Sequence, residues 1–165
     1  MSGGDVRVQF ACDADDLPPA PEIRAWVERA LAAVTVRDLC AREVTVRIVG
    51  EAEGRELNRR YRGRDRATNV LSFPAASADA FAGLGDDELL PLGDLVLCAP
   101  VVAREAAAQG KPPAQHWGHL LVHGMLHLLG YDHQDAAGAD AMETLEVRIL
   151  AAHGIENPYR ERDSA

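Results

Sequence analysis

The chain has 165 residues, enough for one domain to bury its own core without disulfide or metal staples, and a composition that is 47% hydrophobic and 26% charged with no low-complexity tract excludes bulk disorder. The net charge of −9 excludes nucleic-acid binding by bulk electrostatics, because neutralising phosphates needs a basic surface. No apolar run approaches the roughly 20 residues that cross a bilayer, so no membrane is expected among the partners.

In chain order, Val6, Val8 and Phe10 alternate with Arg7 and Gln9, the period of a half-buried strand. Leu17 to Pro21 carries three prolines and breaks the chain; Ile23, Trp26, Val27, Ala30, Leu31 and Val34 then recur at three and four, predicting an amphipathic helix that packs on a sheet. Val44, Val46 and Ile48 predict a second strand, followed by a short polar helix over Glu51 to Arg60 and a loop over Arg62 to Ala67. Val70, Leu71 and Phe73 predict a short strand stopped by Pro74, either an ordinary edge strand or one wall of a cleft, and Leu95 to Leu97 predict another. The Ala-, Gly- and Asp-rich stretch between these strands reads as a mobile surface loop. Helices are expected over Pro100 to Gln109, Pro112 to Leu129 with Gly130 at the stop, and Ala136 to His153. The pattern as a whole is that of a single α+β domain spanning residues 1–165, with one small mixed β-sheet packed with helices. Cys12, Cys40 and Cys98 are odd in number and widely spaced, with no CxxC pair and no leader ahead of them, so reduced thiols and a cytoplasmic location are expected.

Against the acidic bulk, Arg55, Arg59, Arg60, Arg62, Arg64 and Arg66 stand within twelve residues beside only Glu56 and Asp65, a local basic patch. Arg62 can pair with a phosphate bidentately and stays charged, although an arginine on a helix is commonly a solvated face. Because sixteen of the seventeen basic residues are arginine, the clustering carries more weight than the residue type.

Five of the six histidines fall in the segment from His116 to His133. At 100° per residue His123 and His127 project from one face about a turn apart, so two imidazoles can reach one metal ion. Gly130 can end the helix with a positive φ and let His133 swing back as a third ligand. Three histidines leave a fourth tetrahedral position open, the arrangement of a catalytic zinc, although imidazole also suits other divalent ions. His116 and His119 share this face within roughly 80° and read better as supporting or substrate-binding groups than as ligands. Asp132 can orient a ligand imidazole or merely cap the turn. The spacing His-x3-His-x2-Gly-x2-His matches the zincin-like ligand helix of the metzincin peptidases, except that Gly124 stands where their glutamate base stands. A metallopeptidase is therefore a competing reading without its proton acceptor.

Taken together, Leu57-Asn58, Tyr61-Arg62-Gly63, Thr68-Asn69-Val70-Leu71-Ser72-Phe73-Pro74, Leu92-Gly93-Asp94 and the run from His123 to His133 resemble the YbeY family of bacterial endoribonucleases. The resemblance runs from about the second strand to Asn157-Pro158-Tyr159. It implies a zinc-dependent endoribonuclease specific for single-stranded RNA. The expected substrate is ribosomal RNA, notably the 3′ end of the small-subunit RNA, and the expected partners are the small ribosomal subunit and its proteins. Ribosome quality control is a further implied role. By position, it assigns His123, His127 and His133 to one zinc ion and Arg62 to RNA contact or charge stabilisation at phosphorus. A zinc-containing assembly factor without catalysis is the remaining alternative.

Overall fold

In the computed structural model, which describes residues 5–12, 14, 17–33, 42–74, 90–131 and 136–158, strand β1 (Asp5–Phe10) runs parallel to β2 (Arg42–Val49). Strand β2 runs parallel to β4 (Leu90–Cys98), and β3 (Val70–Pro74) is antiparallel to β4. The sheet order is β1-β2-β4-β3, with β3 at one end. Parallel pairing of β1 and β2 needs a crossover, and helix α1 (Ala20–Ala33) lies between them in the chain. Helices α2 (Glu51–Arg62), α3 (Ala99–Gln109), α4 (Pro113–Leu128) and α5 (Ala136–Ala151) complete an α+β domain of five helices among the described residues.

The alternation legible in the strands sorts the core onto two faces. Val44, Val46 and Ile48 of β2, with Leu95 and Leu97 of β4, face the layer of α1, α4 and α5. Val49, Leu71, Val96 and Cys98 turn the other way, where Leu57 of α2 and Val101 of α3 close a smaller cluster. Helix α4 lies against β3 and β4 with α1, α3 and α5 around it, and buries Leu121, Val122, Met125 and Leu126 completely. Each such side chain contributes about 1.5–3 kcal/mol by leaving water. Close approach to α1 requires Gly118, where a Cβ would stand 2.7 Å from the Trp26 ring.

Two boundaries differ from the sequence expectation. Helix α2 continues to Arg62, so Arg62 belongs to its last turn rather than to the following loop. Arg59, Arg60 and Arg62 suit the negative end of the helix dipole there, and Gly63, at φ 73°, ends the helix. Strand β4 begins at Leu90 instead of Leu95, although Pro91 and Gly93 argue locally against a strand. Pairing with β2 from Leu90 and with β3 from Gly93 holds it extended, and an irregularity opposite Glu43 and Val44 accommodates the extra residue. The predicted loop over residues 75–89, Val34, Cys40, Asp132 and His133 lie outside the described residues. Cys12 and Cys98 are free thiols. No helix among the described residues is long and apolar enough to cross a membrane.

Candidate functional site

Four histidines form a stripe along α4. Ring centroids are 6.0 Å apart from His116 to His119, 6.1 Å from His119 to His123 and 4.8 Å from His123 to His127. Spacings of three, four and four on a helix of 3.6 residues per turn produce this alignment, but the surroundings divide it into three parts.

His116 is only 3% exposed and lies outside the groove described below; its Nε2 is 2.9 Å from Glu105 Oε1 on α3. The Glu105 carboxylate also accepts from Asn69 Nδ2, at 3.0 and 3.2 Å, and Asn69 Oδ1 accepts the Val70 N–H. His116 thus helps to tie α3 and α4 to the start of β3. Burial pushes its pKa below the ordinary value, against the opposing pull of Glu105. The folded protein therefore resists a proton that the unfolded chain accepts, and His116 makes stability fall as pH drops through the ordinary histidine range. Urea unfolding followed from pH 7.5 down to 5.5 is expected to show a shallower loss for His116→Gln than for the parent. Parallel curves would exclude this contribution.

His119 and His123 converge on Glu146 of α5, a carboxylate with no exposed surface: His123 Nδ1 is 2.8 Å from Glu146 Oε2 and His119 Nε2 is 3.6 Å from it. One ligand atom from each of these three residues lies within 4.8 Å of the others, so the group could hold a metal ion. Two ligands of one tetrahedral zinc stand about 3.3 Å apart; at 2.8 Å, His123 and Glu146 are at hydrogen-bond distance instead. The carboxylate accepts the Nδ1–H of His123, which leaves the lone pair on Nε2, the tautomer a metal-ligating histidine requires.

His123 and His127 open onto a groove of about 730 Å³ whose other walls include Arg62, Arg64, Arg66, Asn69, Val70 and Ser72. Asn58 Nδ2 donates to the Arg66 carbonyl at 2.8 Å and fastens the loop after α2. Arg62 Nη2 donates to the Ser72 carbonyl at 2.9 Å, which spans the gap from α2 to the edge strand. The basic cluster thus resolves into parts: Arg55 pairs with Asp65 and Arg59 with Glu56 on the surface, whereas Arg62, Arg64 and Arg66 line the groove. Strand β3 is both an edge strand and a wall of this groove, the two alternatives the sequence left open.

The turn after α4 follows the expected geometry. Gly130 has φ 101°, its N–H bonds to the His127 carbonyl, and the Tyr131 N–H reaches back to Leu126 at 2.9 Å, the paired bonds of a Schellman ending. At position 124 the metzincin base has no room. A Cβ there would meet Leu95 Cδ2 at 2.9 Å and Val70 Cγ2 at 3.2 Å, and Ser72 Oγ donates to the Gly124 carbonyl at 3.1 Å.

Of the residues expected from sequence, the structure therefore brings His123, His127 and Arg62 to one groove, sets His119 behind it against Glu146, and ties His116 to α3. Glu146 was missed by sequence reasoning. Its signal was a charge in the middle of an apolar stripe, between Met142 and the pair Ile149 and Leu150, all of them buried.

Comparison with known proteins gives a consistent picture. A family model described as Endoribonuclease YbeY matches residues 10–154. A Halorhodospira halophila protein named Endoribonuclease YbeY is 57% identical over 162 residues, covering 98% of this chain and 100% of that one. An Alkalilimnicola ehrlichii protein of the same name is 60% identical over 157 residues, covering 94% of this chain and 91% of its own. The solution structure of TM1509 from Thermotoga maritima shares the fold, with a TM-score of 0.56 at 21% identity over 94% of this chain and 99% of that one.

Proposed function

The chain belongs to the endoribonuclease YbeY family, and from that premise we propose that it is a metal-dependent endoribonuclease cutting single-stranded RNA. Its substrate on this reading is ribosomal RNA, at the 3′ end of the small-subunit RNA, and it works in company with the small ribosomal subunit and its proteins in the cytoplasm. The observation that carries the reading is a groove in which two histidines face three arginines inside an otherwise acidic protein. Arginines at a cleft answer the charge of a phosphodiester, and a local cluster of this kind is compatible with the net charge of −9.

The donor set suits zinc: His123, His127 and His133 would hold it, with His123 kept in the ligating tautomer by Glu146. When bound, zinc supplies Lewis acidity towards a phosphoryl oxygen and lowers the pKa of water. The protein's own share is position and charge. Arg62 spends one of its five N–H donors on Ser72, which fixes its direction, and offers the rest to phosphate oxygens as negative charge develops. A peptide substrate is less well served. With glycine at 124, the carboxylate that the metzincin frame places after its first histidine is missing. Strand β3, where a peptide would add, has its Val70 N–H taken by Asn69, its Ser72 carbonyl taken by Arg62, and at Pro74 no N–H to offer.

The test is cleavage of an end-labelled single-stranded ribosomal RNA fragment by the parent and by identically purified His127→Ala and Arg62→Ala proteins. The parent is expected to cleave and to stop on chelation, His127→Ala to be inactive, and Arg62→Ala to be slower by about a hundredfold. Equal cleavage by the parent and His127→Ala would overturn the metal reading.

A further inference from the structure

Helix α2 presents two different faces. Asn58 and Arg62 look into the histidine groove, whereas Leu57 and Tyr61, one position earlier, line a second cavity of about 520 Å³. Strand β3 is divided in the same way, with Ser72 on the groove and Phe73 on the second cavity as well as Tyr61. The two spaces therefore share a wall made of the end of α2 and the edge strand, held together by the Arg62 to Ser72 hydrogen bond and by a Tyr61 to Phe73 ring contact of 5.2 Å at 72°. Tyr61 is 58% exposed, although Phe73 supports its ring edge-on.

The chemistry of the second cavity is unlike that of the groove. Its floor is the sheet, where register sets Phe73 opposite Asp94 and Asp94 opposite Thr45, so that an aromatic ring, a carboxylate and a hydroxyl share one face. Arg47, the one arginine among the described residues that line it, is already paired with Glu53 at 2.7 Å and donates to Gln9. A phosphate finds no unpaired arginine there among the described residues. A flat, uncharged ring with N–H groups at its edge finds both a stacking surface and an acceptor.

We propose that this cavity is a nucleobase subsite: an unpaired base of the RNA whose backbone lies along Arg62, Arg64 and Arg66 stacks on Tyr61 and donates an exocyclic amine N–H to Asp94. Stacking on an aromatic ring tolerates any base, because every base has a π face. The carboxylate is more selective where it faces the exocyclic group: there it accepts from the amine of cytosine or adenine but meets the O4 carbonyl of uracil acceptor to acceptor, leaving uracil only its N3–H to donate. The subsite thus selects amine-bearing bases over uracil, and it rests on the RNA reading above.

The experiment measures kcat and KM of the zinc-loaded full chain on fluorescein-labelled decamers of cytidine, adenosine or uridine, for the parent and for Tyr61→Ala, Tyr61→Phe and Asp94→Asn. Tyr61→Ala is expected to raise KM about tenfold on all three RNAs, and Tyr61→Phe, which keeps the ring, to restore it. Asp94→Asn gains an amide donor for O4 and is expected to shift the preference towards uridine. If the parent cleaves these RNAs while Tyr61→Ala and Asp94→Asn keep its KM values and its base preference, the subsite is overturned and the nuclease stands. A parent that cleaves none of them overturns the nuclease and the subsite together.

Discussion

Gly124→Glu, which restores the carboxylate of the metzincin frame, is expected to yield a badly destabilised protein and no peptidase. The position lies inside the contact between α4 and the sheet. Leu95 is 2.9 Å and Val70 3.2 Å from where the first added carbon would sit, and Leu95 is fully buried in a strand with neighbours on both sides. Overpacking costs about 1–3 kcal/mol, and a carboxyl forced in without partners adds a similar amount. A loss of about 4 kcal/mol is a large fraction of the roughly 5–15 kcal/mol that holds a domain together. Urea unfolding should show a midpoint far below the parent's, and casein should remain uncut. A variant with the parental midpoint would show that the wall can yield, and casein hydrolysis by it would revive the peptidase reading. The absence of the glutamate is therefore the result of how closely helix and sheet meet, as well as a difference in catalytic equipment.

Glu146→Leu is expected to lower zinc affinity by about ten- to a hundredfold, the usual cost of losing the partner that orients a ligating histidine. The carboxylate is 2.8 Å from His123 Nδ1 and fully buried, and leucine fills similar space without an acceptor. Glu146→Gln keeps one acceptor oxygen and should lie between Glu146→Leu and the parent. Competition against a chromophoric chelator reads the affinity directly. Nitrogen NMR shifts of the metal-free protein read the cause: the parent should hold His123 with its proton on Nδ1, and Glu146→Leu should show a mixture of tautomers. Parental affinity in Glu146→Leu would remove Glu146 from any part in ordering the site.

The parts of this site that were legible in sequence are those whose geometry is local. A helix fixes the angle between residues four apart, so His123 and His127 could be placed together before any tertiary structure was known. Gly130 announced its turn, and the arginine cluster announced the basic wall. Glu146 is twenty-three residues from His123, and nothing local says which part of α5 will face α4. The same limit explains β4: Pro91 and Gly93 argue against a strand locally, and only pairing with β2 and β3 settles the matter. His116 looked equivalent to His119 because they share a stripe; a carboxylate on another helix, Glu105, sets it apart.

The groove is also assembled from distant stretches of chain, and this has a consequence for synthesis. Arg62 is made first, the β3 wall soon after it, His123 and His127 only after β4 and α3, and Glu146 later still. A polypeptide emerging from the ribosome starts at its N-terminus, so from the completion of β3 until α4 has been made it carries the basic wall but not the histidines opposite. Prematurely terminated products that stop before α4 are likewise incomplete and cannot cut RNA by this site. An enzyme whose proposed substrate is the RNA of the machine that makes it thus acquires its full cutting site only after α4 and α5 have both been made.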